Sequence, residues 1–257
     1  MQRHTAVVTA AAVAVLAAGC GKRAAGNADG ELRVAAAANL TTVMKEVVPR
    51  FERATGNKVT LSEGSSGKLA SQISEGAPFD IFLAANVGFI DEVIASGDCL
   101  ADSKRVYASG RVTVWSGPDD DPPIPDTIAG LADPRYTRIA IASPDHAPYG
   151  RAAKQALERA GIWEQVKPRI IYGSNIVATI QYVENGNAEI GIIADSIARG
   201  VAGRKLSIPA SSHDPIDQAL AVCKGGGNLD GGRAFAEFLR APEIRQIFAD
   251  HGFSVPE

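Results

Sequence analysis

Basic runs are missing from this chain. Its 26 Lys and Arg are outnumbered by 29 Asp and Glu, and the formal charge is −3. No stripe of cations offers a phosphate-binding face, so nucleic acid is excluded as a partner. Histidine is scarce as well. His4, His146, His213 and His251 are scattered, and only His146 beside Asp145 makes a catalytic-looking pair, which reads as a solvated loop pair. Gly64-Ser65-Ser66-Gly67 lacks the G-x-S-x-G spacing of a nucleophile elbow. Gly67-Lys68 is followed by Leu69, with no glycine five residues before Gly67, so it is not a phosphate-binding P-loop. With these motifs absent, the chain reads as a binding protein and not as an enzyme.

No apolar run reaches the about 20 residues that a membrane span needs. The longest, from Thr5 to Ala18, follows Arg3 and His4 and closes on Leu16-Ala17-Ala18-Gly19-Cys20. A short charged start, an apolar stretch and small residues at its end form a secretory signal over residues 1–19. Cys20 directly after three small residues resembles a bacterial lipobox, which implies cleavage before Cys20 and a lipid on its sulfur. Residues 20–30 are rich in Gly, Ala and Asn and read as a flexible tether. The expected location is therefore the outer face of the cell membrane, with the body held there by its N-terminal lipid.

Cysteine is nearly absent: three residues in all. With Cys20 lipidated, Cys99 and Cys223 remain as an even pair in an oxidising compartment, either bridged or as two buried thiols.

What is present is globular: 46% hydrophobic and 21% charged residues. Short apolar runs alternate with helical patterns almost throughout. Leu32-Arg33-Val34-Ala35-Ala36-Ala37 reads as a strand, and Leu40, Val43, Met44, Val47, Val48 and Phe51 then form one helical stripe that Gly56 ends. Strands at 58–61 and 80–84 and helices around Leu69 and Ile73 and over 87–95 continue the series. Residues 107–115 read as one longer strand. A second series follows: strands at 138–142, 169–172 and 189–193, with helices over 149–160 and 176–184. A strand over 216–223 precedes one or two closing helices.

Such alternation predicts an α/β protein with parallel sheets and helices on both faces. Crossings near 107–113 and 216–222 divide it into a discontinuous lobe I, residues 31–109 plus 217–257, and a lobe II over 110–216. Two hinge strands would then join two doubly wound lobes around a ligand cleft.

Four strand-to-helix junctions share one character: Asn39; Ser65-Ser66-Gly67; the loop from Ser143 to Tyr149; and Ser174-Asn175-Ile176. Each places small or amide-bearing residues at a helix N-terminus beyond the carboxyl end of a strand, where α/β sheets bind ligands. Free N–H groups there carry about half a positive charge per helix, which suits an anion. Ser and Asn are also ordinary helix caps, so one junction alone means little. Four shared between two lobes point to one ligand. Lys68 is the only nearby cation and reads as solvated, and no Arg fork is present. The site would select a compact anion that only accepts hydrogen bonds, since a protonated oxygen would go unpaired.

Val34-Ala35-Ala36-Ala37-Ala38-Asn39-Leu40, Gly64-Ser65-Ser66-Gly67-Lys68-Leu69-Ala70, Gly76-Ala77-Pro78-Phe79-Asp80-Ile81-Phe82-Leu83-Ala84-Ala85 and Asp145-His146-Ala147-Pro148-Tyr149-Gly150 occur in that order. Together they resemble the periplasmic molybdate-binding proteins of ABC transporters, from about Leu32 to Phe253. The resemblance implies a type II periplasmic-binding-protein fold and capture of molybdate, with tungstate as a second ligand. It also implies a monomer that docks on a membrane permease driven by a cytoplasmic ATPase, without a cofactor. Carried over by position, the ligand contacts are Asn39, Ser66, the backbone of Ala85, Tyr149 and the backbone N–H of Ile176. A tyrosine that some members use falls on Ala194 here, and Tyr149 is expected to supply the phenol instead.

Sulfate or another tetrahedral oxyanion is the nearest rival, because hydrogen-bond type does not separate it from molybdate. Phosphate would want a carboxylate acceptor, and Asp145 reads as outward-facing. Iron would want paired tyrosines, for which Tyr149 and Tyr172 are unconvincing.

Overall fold

The computed structural model describes residues 30–119 and 121–256. The signal segment, Cys20 and the chain to residue 29 lie outside the described residues.

Strands β1 (Glu31–Ala37), β2 (Lys58–Gly64), β3 (Ile81–Ala84) and β4 (Arg105–Gly110) alternate with helices α1 (Thr41–Thr55), α2 (Ser66–Ser74) and α3 (Val87–Ala95). The next segment holds β5 (Val112–Ser116), β6 (Ile139–Ala142), α4 (Pro148–Arg159), α5 (Trp163–Val166) and β7 (Ile170–Gly173). It continues through α6 (Ile176–Glu184), β8 (Ile190–Ala194), α7 (Asp195–Ala198) and β9 (Lys205–Ser207). The chain closes with β10 (Ile216–Val222), α8 (Leu229–Phe238) and α9 (Pro242–Asp250).

The strands form two five-stranded sheets, in the orders β2-β1-β3-β10-β4 and β7-β6-β8-β5-β9. In the first, β1 runs parallel to β2 and β3, while β10 is antiparallel to β3 and β4. In the second, β6 is parallel to β7 and β8, and β5 is antiparallel to β8 and β9. β3, β6 and β8 are buried along their whole length, which is why they read as unbroken apolar runs and not as alternating ones.

The expected long strand over 107–115 is two strands in different sheets, broken at Arg111. Apolar residues continue on both sides of the break, so side-chain pattern does not reveal that the hydrogen-bonding partner changes. β4 runs through Gly110 and β10 begins at Ile216. The first sheet therefore extends one residue further than the expected boundaries 109 and 217 at each crossing.

The helical stripe lands as its spacing predicts: Leu40, Val43, Met44, Val47 and Phe51 are fully buried. Gly56 ends α1 at φ 76°, a left-handed conformation that glycine adopts without strain. Phe51 meets Phe235 and Phe238 edge-on, with centroids 4.9 and 5.3 Å apart. These contacts fasten α1 to α8 by about 0.5–1.5 kcal/mol per pair beyond area burial.

Of the two readings left open for the cysteines, the structure has the bridge. Cys99 and Cys223 form a disulfide across 124 residues, joining the α3–β4 connection to the end of β10. Closing so long a loop removes much entropy from the unfolded chain. The Cys99→Ala/Cys223→Ala double variant is expected to lose roughly 2–5 kcal/mol in urea unfolding. Neither cysteine lines the cavity described below, so ligand affinity is expected to survive.

Candidate functional site

The carboxyl ends of β1, β2, β3, β6 and β7 meet over one small cavity. Its walls are Ala37, Ala38, Asn39, Gly64, Ser65, Ser66, Ala85, Ala147, Pro148, Tyr149, Asn175 and Ile176. All five expected contacts, Asn39, Ser66, Ala85, Tyr149 and Ile176, lie on it. None of these walls carries a charged side chain. Ala194 is buried at the end of β8 and does not line the cavity.

The sequence positions each wall by the same local event, a strand that ends and a helix that begins. Asn39 sits in a single helical turn over Ala38–Leu40 ahead of α1. Ser66, Pro148 and Ile176 are the first residues of α2, α4 and α6. The first N–H groups of each helix have no partner within it, so these turns aim donors and positive dipole ends at the cavity. Pro148 fits the first helical position because its missing N–H would be unpaired there anyway.

Hydrogen bonds refine the expected roles. Asn175 Oδ1 accepts from Ala178 N at 2.9 Å, so this asparagine is a helix cap. Ala85 lines the cavity, but its N–H donates to Ser66 Oγ at 2.9 Å. It thus fixes the serine instead of facing inward, and the hydroxyl hydrogen of Ser66 remains to donate. Asn39 Nδ2 donates to Tyr149 Oη at 3.2 Å and to Gln218 Oε1 at 2.9 Å.

Two residues outside the expected set belong here. Ser65 is the N-cap of α2 but its side chain does not cap. Its Oγ is buried on the cavity wall with no hydrogen-bond partner. Gln218 on β10 is fully buried and holds Asn39. The sequence signals were modest: the first serine of a pair, and a lone amide inside Ile216-Asp217-Gln218-Ala219-Leu220-Ala221-Val222.

The lobes touch around the cavity. Gly67 N donates to His146 O at 2.9 Å, and a Cβ on Gly67 would come within 2.9 Å of His146 Cβ. Ser196 Oγ donates to Asn39 O at 3.1 Å, and Thr42 Oγ1 to Ser196 O at 3.2 Å. His146 departs from its expected solvated role: it is half-buried and its carbonyl joins the lobes, while Asp145 is exposed. Lys68 is exposed and lines an adjoining hollow instead of the cavity. Tyr172 is 47% exposed and does not line the cavity with Tyr149. Among the described residues no group of three or more His, Cys, Asp or Glu could hold a metal ion.

Electrostatically the site is neutral at its walls. Burial holds the Tyr149 phenol far above its ordinary value of 10, and the Asp195 carboxylate adds to the rise; the Asn39 hydrogen bond offsets part of it. Asp195 is itself paired with Arg199 Nε at 2.9 Å. The phenol is therefore a neutral donor at every physiological pH. Burial pushes the Tyr107 phenol up as well, with Tyr149 adding to the rise.

A stability consequence follows. Below pH 10 both phenols are neutral folded or unfolded, and they add no pH dependence. Above it the unfolded chain loses protons that the fold retains, so stability falls by up to about 1.4 kcal/mol per pH unit for each group. Urea unfolding between pH 9 and 12 is expected to show this decline, and Tyr149→Phe should remove the share due to one phenol. An unchanged slope in that variant would contradict the assignment.

The family model of bacterial extracellular solute-binding proteins matches residues 32–254. A molybdate-binding protein of Azotobacter vinelandii is 33% identical, over 94% of this chain and 96% of its own. That of Escherichia coli is 30% identical, over 90% of this chain and 93% of its own. The solved Azotobacter vinelandii periplasmic molybdate-binding protein superposes with a TM-score of 0.82 at 27% identity. The match covers 88% of this chain and all of that one.

Proposed function

The chain belongs to the bacterial extracellular solute-binding proteins, and from that premise we propose that it captures molybdate, with tungstate as a second ligand, and delivers it to a membrane permease. A member of this family is a binding protein and not an enzyme. One observation carries the ligand class: four helix starts, two in each lobe, converge on one cavity with no charged wall. Neutral donors and helix dipoles suit a fully ionised oxyanion, because every oxygen accepts and none needs an acceptor in return. The two molybdate-binding relatives support molybdate over other tetrahedral anions.

Ser66 Oγ, Tyr149 Oη and the Ile176 N–H are the proposed contacts, with Ser65 Oγ as an added donor. Asn39, whose two Nδ2 hydrogens go to Gln218 and Tyr149, acts through the phenol. Ala85 acts through Ser66. The oxyanion is cargo, and the protein needs no cofactor. The delivery reading adds a permease coupled to a cytoplasmic ATPase and a monomeric carrier. The lipobox-like run ending at Cys20 supports a lipid anchor on the outer face of the membrane.

Calorimetric titration of the soluble body with molybdate, tungstate, sulfate and phosphate tests the reading. Molybdate and tungstate are expected to bind, sulfate weakly and phosphate least. Strong heat with sulfate and none with molybdate would replace the assignment with a sulfate carrier.

A further inference from the structure

We propose that Gln218 is a positioning residue that sets the hydrogen-bond polarity of the oxyanion site, acting through Asn39 and Tyr149. The inference rests on the oxyanion reading above. Gln218 is a fully buried amide that follows Asp217 and opens onto the apolar run Ala219–Val222, a placement that costs free energy unless both ends of the amide are paired. Both are. Its Nε2 donates to Ile216 O at 3.0 Å, and its Oε1 accepts from Asn39 Nδ2 at 2.9 Å.

The order of these bonds follows from one group that has no choice. A backbone carbonyl only accepts, so Ile216 O holds the NH₂ end of Gln218 toward itself. The carbonyl end of Gln218 must then face Asn39, which obliges Asn39 to present its own NH₂ end. The second Nδ2 hydrogen reaches Tyr149 Oη at 3.2 Å and occupies a lone pair there. The phenol hydrogen becomes the free end of the relay, at the cavity that Tyr149 lines. Without Gln218 the Asn39 amide could turn over and offer Oδ1 to the phenol. The phenol hydrogen would then be spent on Asn39, and Tyr149 would face the cavity with a lone pair that repels a bare oxyanion and welcomes a protonated one.

The backbone is shaped for this contact. The β4–β10 register shifts between Gln218 and Ala219, an irregularity of the kind that re-aims a side chain. Gly110, at the end of β4, leaves the space: a Cβ there would lie 3.3 Å from Gln218 Nε2.

The test measures affinity for molybdate and for inorganic phosphate, the latter as hydrogen phosphate, in Gln218→Leu, Asn39→Ala and the double variant. Gln218→Leu is expected to weaken molybdate about tenfold or more and to narrow the molybdate-to-phosphate ratio, a change that simple loosening would not produce. The double variant is expected to bind no worse than Asn39→Ala alone. Gln218→Met, of similar length, is read in the same way if the leucine variant does not fold. Wild-type affinity and ratio in the variant that folds, or additive losses in the double variant, would overturn the proposal. Failure of the wild type to bind molybdate would instead remove the oxyanion reading beneath it.

Discussion

Gly110→Ala is expected to weaken oxyanion binding about a hundredfold, although the change adds a single methyl group. A Cβ at Gly110 would stand 2.0 Å from Tyr149 Oη and 2.9 Å from its Cζ. The tyrosine is 3% exposed and has no open side to retreat into, so the phenol must leave its place. A hydrogen bond to a charged partner contributes about 1.5–3 kcal/mol, which is roughly ten- to hundredfold in affinity. Displacing the phenol also disturbs Asn39, which donates to it. Overpacking adds about 1–3 kcal/mol of instability, so unfolding should be measured alongside calorimetry. Tyr149→Phe removes the hydroxyl and should lose similar affinity, and the Gly110→Ala/Tyr149→Phe double variant should be no worse than Tyr149→Phe. A dissociation constant in Gly110→Ala equal to wild type would contradict the placement of the phenol.

Asp80→Ala is expected to be the most destabilising simple truncation, at roughly 3–5 kcal/mol. The carboxylate is fully buried. Its Oδ2 accepts from Arg33 N at 2.8 Å and its Oδ1 from Asn228 N at 2.7 Å. Asn228 in turn caps α8 through Gly231 N at 2.9 Å. Removal therefore orphans two part-buried N–H groups at once and loosens β1 from the start of α8. Gly226 packs so closely that a Cβ there would overlap the carboxylate, so little water can replace it. Thermal unfolding should fall on the order of 10 °C. The folded fraction should still bind, because Asp80 is not on the cavity wall. A fall of only a degree or two would show that the two amides find other partners.

Local pattern carried much of the site. Asn39, Ser66, Tyr149 and Ile176 are legible because each follows a strand and opens a helix, and that is a statement about neighbours in sequence. Gln218 and Gly110 were harder, since their roles depend on partners far along the chain. Gln218 meets Asn39 across 179 residues, and nothing near either one announces the pairing. Asn175 illustrates the reverse ambiguity: the same Asn at a helix start serves as a cap, and only its bond to Ala178 N decides it. The fold was legible where burial is one-sided or continuous, as in the α1 stripe and in β3. It was less so at Arg111, where the chain changes sheets without changing composition, and at β9, whose three residues are too few to show a period.

The central claim is that uncharged donors from both lobes hold a doubly negative oxyanion without a basic side chain. A crystal structure of the protein with tungstate, located by its anomalous scattering, tests this most directly. The account predicts the metal centre in the cavity beside Tyr149, with its oxygens about 3 Å from Ser66 Oγ, Tyr149 Oη and the Ile176 N–H. A Lys or Arg head against the anion, or tungstate bound elsewhere on the molecule, would contradict it.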